Sequence, residues 1–170
     1  MLDKKMEAAL NEQVNAEFWS AYFYLSMSAY FEDKGLGGFA NWMKVQFQEE
    51  QSHALKIFNF IVERGGRAEL KPIAEVDQEW ESVIHVFEET LKHEQKVTSL
   101  VNNLTDIAIE LKDHASRSFL QWFVDEQVEE EAGVNELLDQ LRMFEGKGYG
   151  LYQMDKELKS RVFVDATIAQ

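Results

Sequence analysis

The chain has 170 residues, one proline, nine glycines, no cysteine and a formal net charge of −14. That length suits one domain with a sizeable core, and the missing cysteines exclude disulfides and thiolate sites. The charge argues against a nucleic-acid or anionic-membrane partner and fits a cationic one, metal ions included.

No run approaches transmembrane length, and Met1-Leu2-Asp3-Lys4-Lys5 lacks the apolar core of a signal peptide. A soluble cytoplasmic protein is the expectation.

Long stretches without Gly or Pro predict an all-α protein. From about Asp3 to Asp33, Leu10, Val14, Glu17, Ala21, Tyr24 and Ser28 step by four and three, the spacing of one helical face. Gly35 is available for the left-handed residue that ends such a helix. Phe18, Trp19, Tyr22 and Phe23 lie off this stripe, more aromatic area than a monomer should expose, which predicts a subunit interface.

A second helix is expected from about Phe39 to Arg64, with the stripe Met43, Phe47, Glu50, Ala54, Ile57, Ile61. Residues Arg67 to Glu79 hold the single proline, Pro72, and few core residues, as a long crossover would. A third helix follows from about Trp80 to Leu111, with the stripe Val83, Phe87, Thr90, Glu94, Val97, Val101, Leu104, Ala108, Leu111.

After a break near Lys112-Asp113, the fourth runs from about His114 to Glu145, with Leu120, Phe123, Gln127, Glu130, Val134, Leu137, Leu141 and Phe144 inward. Beyond Gly146, Gly148 and Gly150 comes a short segment with Leu151, Met154, Leu158 and Val162 on one side, then a frayed tail. Connections in the order short, long, short describe a four-helix bundle with one crossover, residues 1–145. A short fifth helix and tail follow at 146–170.

Each stripe is interrupted by acids or amides at nearly the same distance along its helix. Glu17, Glu50, His53, Glu94, Gln127 and Glu130 therefore share one mid-height layer. Glu50 and His53 sit one turn apart on one face. Four buried carboxylates repel one another, and no Lys or Arg of these stripes lies at that height to neutralise them. Divalent cations would, and oxygen ligands with one imidazole suit iron, manganese or zinc. The competing reading is a buried polar network without metal.

Asn15-Ala16-Glu17, Glu49-Glu50-Gln51-Ser52-His53-Ala54, Glu94 and Glu126-Gln127-Val128-Glu129-Glu130 resemble the ferritin family, most of all its bacterial non-haem members. The resemblance covers essentially the whole chain. Ferritin-like di-iron bundles take one Glu from each of two helices and Glu-x-x-His from each of the other two. The fourth helix departs from this, reading Gln127-Val128-Glu129-Glu130, which should weaken the second iron site.

The resemblance implies a ferroxidase and iron store that uses dioxygen or hydrogen peroxide, in a shell of 24 copies whose fifth helices line channels. Glu17, Glu50 and His53 would bind the first iron. Glu50 would bridge to a second site of Glu94 and Glu130, with Gln127 close by. Glu49, Glu126 and Glu129, with Glu130, correspond to a third iron site or else form a solvated acidic face. Tyr24 is a core tyrosine or an electron donor beside the di-iron centre, and Trp122 packs or shares that role.

Position 52 is Ser, where haem-binding relatives carry the ligating methionine, so no haem is expected. His85, His93 and His114 are expected at the surface. A rubrerythrin-like di-iron oxidase without mineral is the alternative enzyme, and a helical shell without iron turnover the structural one.

Overall fold

A computed structural model describes residues 2–168. Five helices follow in order: α1 (Lys4–Asp33), α2 (Gly37–Glu63), α3 (Val83–Glu110), α4 (His114–Met143) and α5 (Gly148–Leu158). The starts of α1, α3 and α4 carry oxygen side chains where the first amides need acceptors. Asp3 accepts from Lys5 N, Ser82 from His85 N and Asp113 from Ser116 N. Helix α1 stops at Gly35 (φ 71°), a conformation that side chains resist.

The core is divided in two by the polar layer. One apolar half gathers Met27, Phe31, Phe39, Phe87, Val134 and Leu138. The other gathers Leu10, Val14, Ile57, Val101, Leu104 and Leu120. Along α1 and α4 the chain passes from the second half to the first; along α2 and α3 it passes from the first to the second. So α2 and α3 are parallel, and the link between them must span the bundle. It runs from residue 64 to 82, and at about 3.3 Å per extended residue it reaches past a helix rising about 1.5 Å per residue.

Several boundaries and stripe positions differ from the sequence expectation, each for a local reason. Trp80 belongs to the crossover, because Ser82 caps α3 and the indole is buried against Phe23 and Tyr30. Phe23 is therefore covered within the chain, whereas Tyr22 stays 52% exposed. Leu138, not Leu137, is fully buried, since Val134, Leu138 and Leu141 step by four and three. Gln46 is fully buried and Phe47 only partly so. Val162 lies beyond α5 and is exposed.

Helix α5 docks on the start of α2, which lacks a cap of its own. Asp155 Oδ1 accepts from Gly38 N (2.7 Å) and Phe39 N (3.2 Å). A Cβ on Gly38 would lie 1.6 Å from the Asp155 carbonyl oxygen, so only glycine allows this approach. The segment after α5 is tied down as far as Thr167, and the last two positions of the expected frayed tail lie outside the described residues. Asn41 donates to the carbonyls of Leu158 and Arg161, and Lys56 Nζ to that of Thr167.

Candidate metal centre

The four inward stripes bring their interruptions to one level, as their heights on the helices require. Glu17 and Glu50 are 1% and 2% exposed, and His53 and Gln127 are buried beside them. Glu17, Glu50 and His53 each offer a ligand atom within 4.8 Å of the others. Glu17 Oε1 accepts from Gln13 Nε2 at 2.7 Å. Glu17 Oε2 and Glu50 Oε2 have no hydrogen-bond partner. Buried carboxylate oxygens without partners are rare, and two of them grouped with an imidazole form a donor set that fits a cation.

The other half of the layer is held by amides. Tyr24 donates to Glu94 Oε1, and Gln127 Nε2 lies 3.1 Å from Glu94 Oε2. Gln46 Nε2 donates to Glu130 Oε2 at 2.9 Å. These bonds join α1 to α3, α3 to α4 and α2 to α4 across the bundle axis. Sequence reasoning missed Gln13 and Gln46. Gln46 lies one turn before Glu50, and the step Met43–Gln46–Glu50 was as helical as the one drawn through Phe47.

Burial dominates the electrostatics. It pushes the Glu50 carboxyl well above its ordinary range, reinforced by the charge of Glu17 and Glu94. Glu17 and Glu130 also move up by burial, against hydrogen bonds that pull them back. Glu94 rises to about 8, from burial and then the charge of Glu130. Burial, with help from Lys56, lowers His53 to about 4. Its Nδ1 contact to Glu50 Oε2 at 3.9 Å therefore joins a neutral imidazole to the carboxyl, and the ring keeps a lone pair for a metal. Burial and the neighbouring carboxylates raise the Tyr24 phenol well above 10, so it stays a donor to Glu94.

Glu49, Glu126 and Glu129 line a separate cavity of about 370 Å³ next to Glu130. Burial lifts Glu49 and Glu126 to about 7. Arg161, which lies on none of the four stripes, reaches in from beyond α5 and donates to Glu49 Oε2 at 2.7 Å. Glu129 is exposed at the rim. Trp122 packs edge-on against His53 (centroids 5.3 Å apart), with the Lys56 ammonium over its outer face.

His93 is not a surface residue. Its Nε2 lies 2.8 Å from Ser20 Oγ, and its ring packs against Trp19, Phe23 and Tyr24, because Trp19 folds over it.

Comparison with known proteins identifies the family. The family model for the ferritin-like domain matches residues 7–144. A bacterial non-haem ferritin of Bacteroides fragilis is 44% identical over 161 residues, covering 95% of this chain and 100% of the relative. One from Staphylococcus aureus is 40% identical over 163 residues, covering 96% and 98%. Among solved structures, a ferritin of Archaeoglobus fulgidus engineered into a closed form superposes with a TM-score of 0.95 at 47% identity, covering 96% of this chain and all of that one. The open-pore ferritin of the same archaeon gives 0.94 at 47% identity, covering 95% and 100%. With one bundle, one carboxylate–histidine layer and this kinship over nearly its full length, the chain belongs to the ferritin family, with bacterial non-haem ferritins among its relatives.

Proposed function

We propose that this chain is an iron-storage ferritin that oxidises Fe(II) inside its own bundle. The observation that carries the reading is the convergence of Glu17, Glu50 and His53, two of whose carboxylate oxygens have no protein partner. Fe(II) is the substrate. Glu17, Glu50 and His53 would hold one ion, and Glu50, Glu94 and Glu130 a second.

Each Fe(II) yields one electron. The pair reduces dioxygen to hydrogen peroxide, or peroxide to water, with two protons taken up. The protein supplies ligands, spacing and exclusion of bulk water. Metal entry displaces protons from carboxyls that burial has made weak acids. Tyr24 orients Glu94 through its hydroxyl and is the nearest candidate to supply a further electron.

The product Fe(III) moves by way of Glu49, Glu126 and Glu129 to a ferric oxyhydroxide store. That store requires a hollow assembly, which we take to be 24 copies in the cytoplasm with α5 lining channels. Assembly is supported by the groove between α1 and the crossover, where Tyr22, Leu25, Ala29, Ile73 and Val76 form an apolar floor among polar side chains such as Asp33, Glu75 and Glu79. No helix among the described residues is long and apolar enough to cross a membrane.

The test is particle size by light scattering before and after aerobic Fe(II) addition, with iron counted per particle. A shell of about two dozen subunits taking up far more iron than its ligand sets hold establishes storage. A small oligomer saturating near two irons per chain means a rubrerythrin-like oxidase instead.

A further inference from the structure

The cavity beside the di-iron layer has an unusual wall. Five glutamates line it, Glu49, Glu126, Glu129, Glu130 and Glu136, and among the described residues Arg161 is its one cation. Gln46 also lines it, fully buried, with an Oε1 that has no partner. In a wall that also holds Trp42, Gly133 and Leu137, that carbonyl oxygen and the carboxylates supply oxygen ligands of the kind that hard cations take. The Arg161 guanidinium occupies part of it. It donates to Glu49 Oε2 at 2.7 Å and to the Trp42 carbonyl at 3.3 Å, and it lies over the Trp42 ring at 4.7 Å.

We propose that Arg161 is a built-in competitor for this cation seat. It holds Glu49 between passages of metal and gives it up to an arriving multivalent ion. The inference rests on the storage reading for the identity of the passing ion. An arginine cannot be switched off by pH, so the competition is decided by charge: a guanidinium carries one positive charge and a ferric ion three.

The displacement is local. Arg161 follows the end of α5, its side chain is 27% exposed, and its carbonyl stays fastened by Asn41 at 2.9 Å. The Trp42 face gives the guanidinium a place to rest when it leaves Glu49. The consequence is a seat of lowered affinity, through which iron passes on instead of remaining. Arg161 is thus a positioning residue for transfer, acting through Glu49.

Tb(III), titrated into the assembled full chain and read by tryptophan-sensitised emission, tests this, because Trp42 lines the same cavity. A largely buried ion pair predicts that Arg161→Gln tightens binding at this seat by about five- to tenfold. Arg161→Lys, which keeps the charge, stays within about twofold of the parent, and adding Glu49→Gln to Arg161→Gln abolishes the gain. Binding in Arg161→Gln within twofold of the parent, in a shell of unchanged size, overturns the proposal. So does an equal gain in Arg161→Lys, which would point to packing.

A crystal structure of the unaltered protein with Tb(III) gives an answer independent of any variant. The ion at Glu49 with Arg161 swung away supports the proposal, and Arg161 still bonded to Glu49 beside a bound ion refutes it. Tb(III) binding needs no iron oxidation. A protein inert toward Fe(II) that still shows the gain would count against the storage reading while supporting the competitor.

Discussion

Replacing Glu94 by Gln should make the metal-free protein more stable at neutral pH. Glu94 is fully buried, and its carboxyl stands at about 8 against an ordinary 4.5. A carboxyl raised by folding binds its proton more tightly in the folded state. Its penalty is absent below about pH 4.5, grows as pH rises, and levels off above about 8. At about 1.4 kcal/mol per pH unit, the span from 4.5 to 7 removes roughly 3 kcal/mol at pH 7.

The new amide would still accept from Tyr24 but would set a donor against Gln127 Nε2, and losing that bond costs about 1 kcal/mol. The variant should therefore exceed the parent by roughly 2 kcal/mol at pH 7 and match it near pH 5. Urea unfolding of chelator-treated protein at both pH values, at one protomer concentration, measures this. A difference between variant and parent that is the same at pH 5 and pH 7 would refute the reasoning.

Glu17→Ala should slow the fast phase of Fe(II) oxidation by about tenfold or more while leaving the shell intact, since it removes a ligand from the tightest group; stopped-flow absorbance reads the rate, and an unchanged initial rate counts against the site. Metal uptake should release more protons at pH 6.5 than at pH 8.5, because Glu94 stands at about 8 and Glu49 and Glu126 at about 7; titration calorimetry in buffers of different ionisation enthalpy counts them, and equal release at both values contradicts the assignment. Asp155→Ala should lower stability by about 1–2 kcal/mol, since it strips the first amides of α2 of their acceptor. Thermal unfolding checks this, with the iron oxidation rate unchanged.

The fold was legible because helix periodicity runs unbroken through 26 or more residues in each long helix, and because the interruptions themselves repeat at one depth. In the four long helices, two stripe choices erred by one residue. Phe47 for Gln46 and Leu137 for Leu138 are choices between adjacent positions that both satisfy a step of three or four. Only the facing helices decide between them. In the first case a polar side chain went inward because Glu130 needed a donor. Trp80 looked helical by neighbourhood, but a capping serine two residues later fixed the start of α3. Arg161 was illegible for a different reason. Its contact with Glu49 spans 112 residues and belongs to no repeating pattern.

The asymmetry of the polar layer follows from its hydrogen bonds. Around Glu17 and Glu50, two carboxylate oxygens lack partners, so a cation entering there gains ligands without breaking bonds. Glu94 has both oxygens engaged, by Tyr24 and Gln127, and Glu130 accepts from Gln46. A metal binding on that side must displace or share donors that already satisfy the carboxyls, and each such bond opposes it by about 1 kcal/mol. The sequence departure at Gln127 therefore acts in two ways. It withholds a carboxylate that would bind iron, and it supplies an N–H that competes for Glu94. On the proposed two-iron reading, both effects would make the second position the more easily emptied one, on the side of the layer that adjoins the acidic cavity through Glu130.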